Sequence, residues 1–246
     1  MKVLVVHAHP EPQSFCSSLF SSAVATLEAD GHEVQVSNLY AMNFDPVAKA
    51  EDFVSRTRPN YLVYALEQRA AHQTGHLRDD IRDEVSKVVW CDVLLIIAPM
   101  YWFSIPAILK GWIDRVFVSG AFYGGRRIYD RGGMHGRRAL LAMTLGGREH
   151  MFGEGAIHGP MRELLRPILQ GTLQYVGFEV VEPWLAYHVP YVDDDSRRKM
   201  AEGFIGWLPG ALTQAPALPC PRMADFDDAL RPVEANTKGE SRHPTR

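Results

Sequence analysis

The stretch VLLIIAPMYWFSIPAILKGWIDRVF, residues 93–117, carries the strongest indication of the fold. It begins with a continuous apolar run over 93–98, which is typical of a strand buried on both faces of a parallel sheet. A proline then opens a segment whose apolar residues recur at helical spacing, as Leu109, Trp112 and Val116 do. The stretch therefore predicts a buried strand, an aromatic loop and an amphipathic helix in succession.

The rest of the chain repeats this alternation of strand and helix. Segment 40–74 fits neither pattern and is predicted to be an irregular excursion with one or two short helices. The alternation predicts a doubly wound parallel five-stranded α/β sheet with helices on both faces. Ligands of such sheets lie outside the C-terminal strand ends, where the strand order reverses. The other predicted strands are at 3–6, 33–37, 139–144 and 178–182, and the other predicted helices are at 15–30, 81–89, 160–175 and 194–212.

The composition is that of an ordinary globular protein. The 246 residues are 46% hydrophobic and 22% charged, with a net charge of −3, so we expect neither nucleic-acid binding nor attraction to an anionic membrane. The longest apolar run is too short to span a bilayer, and the first residues do not resemble a signal peptide. Three widely spaced cysteines predict a reducing, cytoplasmic location without a disulfide framework.

The composition changes after the last predicted helix. Residues 1–212 are predicted to form one domain, and residues 213–246 are predicted to form a C-terminal extension. The extension is first rich in proline and then rich in charged and small residues. Its last dozen or so residues are expected to be disordered.

The first loop at a predicted strand end reads HAHPEPQSF, residues 7–15. Ser14 is placed to cap the helix that follows, and the amides of Ser14, Phe15 and Cys16 then point to the strand end as an anion site. His9 adds a possible donor to a phosphate. In the alternative interpretation Ser14 only caps the helix, and the histidines are ordinary loop residues.

The second loop contains the consecutive aromatic residues Tyr101, Trp102 and Phe103. Three aromatic side chains in a row cannot all point into a core, so they favour a planar ligand at this strand end. Packing of the loop on a partner subunit is the alternative.

The third loop, residues 144–160, contains Gly146 and Gly147, which let the backbone come close to a ligand. A generic flexible loop is the alternative. Together the three loops predict a phosphate site, an aromatic surface and a close backbone approach at one edge of the sheet. A flavin nucleotide needs this combination.

At this point the sequence resembles the NAD(P)H:quinone reductases of the DT-diaphorase type, which have a flavodoxin-like fold. The resemblance covers about residues 1–210, and its most specific part is the run PMYWFSIPAILKGWIDRVF at 99–117. The ancillary subunits of potassium-efflux systems share much of the pattern. The other matching motifs are AHPEPQSF at 8–15, LYAMNFDP at 39–46, GHL at 75–77, GG at 146–147, IHG at 157–159 and GF, V and EP across 177–183.

The resemblance implies two-electron reduction of quinones or similar flat electrophiles through a tightly bound flavin. NAD(P)H and the quinone would use one cavity in turn, in a ping-pong mechanism. We expect FAD rather than FMN, because Arg197 stands where the family has an arginine near the adenosine half. The implied flavin-binding residues are His9, Ser14, Phe15, Cys16, Pro99, Met100, Tyr101, Trp102, Phe103, Thr144, Leu145, Gly146, Gly147 and Arg197.

The resemblance also implies a substrate cavity and a homodimer with active sites at the interface. Trp102 and Phe103 would line the cavity. Tyr123 matches one of two gating tyrosines, and Gly125 stands where the second is expected. Tyr191 stands where the family often has a histidine, which leaves the substrate preference open.

Hydride transfer leaves negative charge on the N1–C2=O2 edge of a flavin, which needs nearby donors. In the family a tyrosine and a histidine serve this edge; here the histidine is His158, but Phe152 stands at the position of the tyrosine. The catalytic residues implied are therefore His158, Phe152 and Gly146, with His158 as the main side-chain donor. The alternative is that His158 only holds the loop in shape.

The sequence is also compatible with two other functions, and it contains two clusters of potential metal ligands. The chain could be a flavin-bearing regulatory subunit of a transporter or, less favoured, an electron carrier of the flavodoxin kind. We predict no metal site. The acidic run at 193–195 precedes a helix and is interpreted as a cap, and His72 and His76 flank a glycine in the irregular segment.

Overall fold

The computed structural model describes residues 1–233 and contains a parallel sheet with the strand order β2-β1-β3-β4-β5. This confirms the predicted five-stranded doubly wound α/β architecture. A short strand, β6, follows β5 and pairs with the end of β4, so that β5 and β6 share the fifth position of the sheet. The strands are β1 (Lys2–His7), β2 (Glu33–Asn38), β3 (Val93–Pro99), β4 (Arg138–Thr144), β5 (Glu179–Val180) and β6 (Trp184–Ala186).

Helices cover both faces of the sheet because side chains alternate along each buried strand. Val3 and Val5 pack on one side with α1 and α6, and Leu4 and Val6 pack on the other with α3, α4 and α5. The helices are α1 (Phe15–Ala29), α2 (Tyr64–Thr74), α3 (Asp79–Trp90), α4 (Ala107–Val116), α5 (Met161–Ile168) and α6 (Asp194–Ala211).

The predicted helix at 160–175 is only partly correct. The α-helix ends at Ile168, and the chain continues as a π-helical segment over Leu169–Gln174. Pro167 lies inside the helix and has no N–H to donate to the preceding turn, which accounts for the irregular hydrogen bonding around it. The segment 40–74 contains a 3₁₀ turn and α2, as predicted.

The predicted strand at 178–182 is also wrong in its extent. Only Glu179–Val180 pair with β4, and a second strand forms after Pro183. Proline has no N–H for a strand ladder, so the edge strand divides there. Trp112 on α4, one of the residues at helical spacing, is fully buried.

A buried ion pair holds α4 against the irregular segment. Nη2 of Arg115 lies 2.7 Å from Oδ1 of Asp52, and both side chains are completely buried. Asp80 at the start of α3 lies 3.2 Å from the same guanidinium nitrogen. The backbone carbonyl of Asp45 accepts from Nη1 of Arg115 at 2.6 Å, so one side chain joins three parts of the chain.

The extension runs along the far edge of the sheet. Ala217 N–H donates to the carbonyl of Val180, and Gln174 donates to the carbonyl of Leu218. The expectation of disorder for the last residues lies outside the described range. In residues 1–233, no helix combines the length and the apolar character that a membrane crossing requires.

Candidate active site

A cavity of about 250 Å³ opens at the C-terminal ends of β1, β3 and β4, beside the N-terminus of α1. It lies where the strand order reverses between β1 and β3, which is the expected ligand position in such a sheet. The structure thus brings parts of all three predicted loops together. The cavity is lined by His9, Ser14, Phe15, Cys16, Pro99, Met100, Tyr101, Thr144, Leu145, Gly146, Val189 and Pro190.

The first loop forms the end of the cavity at α1. Ser14 caps α1 as predicted, with its Oγ accepting from the N–H of Ser17 at 3.1 Å. The N–H of Ser14 is not free, because it donates to the carbonyl of Glu11, and this corrects the prediction of three free amides. The amides of Phe15 and Cys16 have no acceptor within residues 1–233 and remain available to an anion at the helix N-terminus.

Two titratable residues that line this end of the cavity have shifted pKa values. Nδ1 of His9 accepts from the N–H of Glu11, so the proton of the neutral ring lies on Nε2. Burial lowers the pKa of His9 and favours this neutral donor. Burial raises the pKa of Cys16 to about 12, so that its thiol stays protonated and has little reactivity at neutral pH.

The second loop is tightly folded. Tyr101 and Ser104 exchange two backbone hydrogen bonds, and Trp102 and Phe103 both have positive φ angles, 50° and 57°. Such angles are costly for aromatic residues and are held here by the surrounding loop. Trp102 is 95% exposed and does not line the cavity of its own chain. As the sequence indicated, the three aromatic side chains do not all enter the core.

The third loop brings the glycine pair against an aromatic cluster. A Cβ atom on Gly147 would lie 2.8 Å from Cε2 of Phe152, so only glycine fits beneath this ring. The ring centroid of His158 is 5.1 Å from that of Phe152 and 5.0 Å from that of Phe103. His158 is therefore half-buried between two aromatic rings, and a packing role is built into its position.

Besides Trp102, Phe103, Gly147, Phe152 and His158, three further predicted residues lie outside the cavity lining. Arg197 pairs with Asp194 at 3.0 Å and donates to the carbonyl of Val192, at the start of α6. Tyr123 packs on Tyr175, with ring centroids 5.6 Å apart. Tyr191 is exposed, next to Gly146. The structure of a single chain does not bring these residues into one site with the others.

The loop that follows β6 contributes Val189 and Pro190 to the cavity and His188 behind it, and of this loop only Tyr191 was predicted as a site residue. A proline shortly after a short apolar run was the only local signal for a turn at the sheet edge.

Asp193 caps α6 as predicted. Within residues 1–233, no three His, Cys, Asp or Glu side chains cluster in a way that would hold a metal ion.

The residues present fit a flavin nucleotide. The free amides of Phe15 and Cys16, together with His9, can hold a phosphate. The amides of Gly146 and Gly147 also have no acceptor within residues 1–233, and Gly146 lies at the wall where a flat ring would bind. The strand order and the position of the cavity are those of the flavodoxin-like class of α/β proteins.

Comparison with known proteins agrees with this class. The family model described as "Flavodoxin-like fold" matches residues 1–206. The chain belongs to this flavodoxin-like family.

Individual relatives are similar over most of the chain. A ribosyldihydronicotinamide dehydrogenase (quinone) of Pongo abelii is 38% identical over 220 residues, which are 89% of this chain and 95% of the relative. An NAD(P)H dehydrogenase (quinone) 1 of Cavia porcellus is 39% identical over 204 residues, 82% of this chain and 74% of the relative. A crystal structure of a candidate quinone reductase from Klebsiella pneumoniae superposes with a TM-score of 0.90 at 33% identity, covering 99% of this chain and 98% of the other.

Proposed function

We propose that this chain is a flavin-dependent NAD(P)H:quinone oxidoreductase, which reduces quinones or similar flat electrophiles by two electrons in a ping-pong mechanism. The observation that carries the proposal is the cavity at the β1–β3 switch point, where residues of the phosphate loop and the aromatic loop meet Gly146. The names of relatives that are 38–39% identical support it.

The phosphate would be held at the N-terminus of α1. The free amides of Phe15 and Cys16 donate in the direction of the helix dipole, which favours an anion there. His9 donates through Nε2, and Ser14 uses its side chain to hold the helix start in place. Cys16 contributes its amide and its packing, since its thiol stays protonated.

The ring would lie between the end of β3 and the glycine loop. When bound, the flavin supplies the hydride chemistry and develops negative charge on its pyrimidine edge. Pro99, Met100 and Tyr101 form one wall, and Thr144, Leu145 and Gly146 form the other. The amides of Gly146 and Gly147 are donors for this edge, and His158 is proposed as the main side-chain donor through its ring nitrogens. Phe152 packs on the same loop but cannot donate.

We propose FAD rather than FMN, and NAD(P)H as co-substrate. Arg197 supports FAD, because it lies on α6, and α6 packs on α1, the helix that follows the phosphate loop. To bind an adenosine half, Arg197 would exchange part of its contact with Asp194. Chromatography of the released flavin decides between the two cofactors.

We further propose a cytoplasmic homodimer. The indole of Trp102 is almost fully exposed, and such a surface is typical of an interface. Trp102, Phe103, Tyr123 and Tyr191 would then line a substrate cavity completed by the second copy. Buried thiols at Cys16 and Cys91 support a reducing location. Sedimentation at micromolar concentration tests the dimer.

The test of the function is direct. The purified protein is expected to carry flavin and to reduce a quinone with NADH or NADPH, and dihydronicotinamide riboside is included as donor because one relative bears that name. Protein without flavin, or with flavin but without quinone turnover with any donor, would overturn the proposal.

A further inference from the structure

Three successive carbonyl groups of the glycine loop accept hydrogen bonds from two residues that follow β6. The N–H of Val189 donates to the carbonyl of Leu145 at 3.1 Å, and the N–H of His188 donates to that of Gly147 at 2.9 Å. Between these contacts, Nδ1 of His188 lies 3.0 Å from the carbonyl oxygen of Gly146. Because a carbonyl oxygen can only accept, Nδ1 of His188 carries the proton in this contact.

These contacts determine where the amides of the loop point. In a planar trans peptide unit the N–H lies opposite the preceding carbonyl group. The held carbonyls of Leu145 and Gly146 therefore direct the N–H groups of Gly146 and Gly147 away from residues 188–189. Neither N–H has an acceptor within residues 1–233, and Gly146 lines the cavity. Successive free amides of this kind form a concave site for negative charge.

Only the middle contact depends on a side chain. The peptide unit between Gly146 and Gly147 is flanked by two residues without Cβ, so its rotation meets little steric resistance. We propose that His188 is a positioning residue that holds this peptide unit, so that the N–H of Gly147 stays beside that of Gly146 as a donor to the bound ring. The inference rests on the proposed function and adds a residue outside the cavity lining to it.

The backbone at His188 allows a matched pair of variants. His188 has φ 61° and ψ 22°, in the left-handed region that asparagine, aspartate and glycine adopt with the lowest cost. His188→Asn keeps a donor on a short side chain, whereas His188→Asp has nearly the same shape and no donor. His188→Gly removes the side chain and adds neither charge nor backbone strain. It therefore shows whether an effect of His188→Asp is due to the lost donor or to the new carboxylate.

The test measures flavin binding and the midpoint potential of the bound flavin. In His188→Asp and His188→Gly, the protein's affinity for reduced flavin relative to oxidised flavin is expected to fall about tenfold. This lowers the midpoint potential of the two-electron couple by about 30 mV. His188→Asn is expected to stay close to wild type. Loss of flavin from both variants without a donor, with retention in His188→Asn, would also support the inference.

Equal potentials and equal flavin affinity in all four proteins would overturn the inference. So would a potential in His188→Asn as low as that in His188→Gly, since the donor would then not matter. These outcomes are distinct from failure of the proposed function, which is decided by flavin content and quinone turnover of the wild-type protein alone.

Discussion

The ring of Phe152 lies directly on Gly147. A Cβ atom at residue 147 would be 2.8 Å from Cε2 and 3.0 Å from Cζ of the ring, closer than carbon atoms approach without displacement. The same ring is 5.1 Å from that of His158 and 5.8 Å from that of Tyr187. Phe152 therefore joins the glycine pair to the aromatic cluster, and a larger residue at position 147 would have to displace the ring.

The contact predicts a coupled effect of two substitutions. Gly147→Ala is expected to displace Phe152 at a cost of about 1–3 kcal/mol, as in other overpacked sites, and to lower flavin affinity about tenfold. In a Phe152→Ala background the same alanine should cost little, because the ring is gone. Titration of the apoprotein with flavin measures all four affinities.

A control lies on α6, where a Cβ on Gly206 would meet nothing within 4 Å. Gly206→Ala is expected to leave flavin affinity unchanged. An equal loss of affinity from Gly147→Ala with and without the Phe152 ring would show that the contact is not the cause.

His158 is predicted to assist the reaction as well as pack. Removal of a donor from a preorganised site costs ~2–4 kcal/mol, so His158→Ala should slow flavin reduction by NADPH at least about tenfold in stopped-flow measurements. Flavin content should stay normal. An unchanged rate at normal flavin content would leave His158 with packing on Phe103 and Phe152 as its only role.

Phe152→Tyr addresses the missing hydroxyl on the same loop. The added oxygen should speed flavin reduction if the pyrimidine edge lacks a donor, because a hydroxyl near it would stabilise the developing charge. No change in the stopped-flow rate would mean that the amides of Gly146 and Gly147, or His158, already serve this edge.

The buried pair of Arg115 and Asp52 is predicted to be essential for stability. Arg115→Met leaves a buried carboxylate without its main partner, which typically costs about 3–5 kcal/mol of the free energy of unfolding. Lys110→Met on the same helix is the control, because Lys110 forms an exposed pair with Asp114 that is worth at most about 0.5 kcal/mol. Urea unfolding of both variants compares them, and similar losses would contradict the prediction.

His7 is predicted to make stability depend on pH. Burial, with a smaller contribution from nearby His9, lowers its pKa from 6.5 to about 4. The unfolded chain then binds a proton that the folded chain does not, so the stabilisation is present above pH 6.5 and is lost as the pH falls to about 4. The difference in unfolding free energy between wild type and His7→Gln should therefore change as the pH falls from 6.5 to about 4. A difference independent of pH would exclude the titration of His7 as its cause.

The fold was largely predictable because its signals are local. The apolar run at 93–98 can only be satisfied by burial on both faces, and the helical spacing on α4 requires a sheet to pack against. The end of the sheet was not predictable, because the division of the edge strand after Val180 depends on Pro183 and on which backbone groups of β4 remain unpaired.

The site divides in the same way. Local patterns were enough to predict that a phosphate loop, an aromatic loop and a glycine pair follow strands, since capping and glycine patterns are short-range and strands of a parallel sheet end on one side. The exposed direction of the Trp102 side chain and the contact of His188 with the carbonyl of Gly146 could be read only from the folded chain, whereas the pair of Arg197 with Asp194 is a local contact within one turn of α6. The direction of the Trp102 side chain depends on how its loop packs. The contact of His188 with Gly146 joins residues that are 42 positions apart, and no local pattern encodes such a distance.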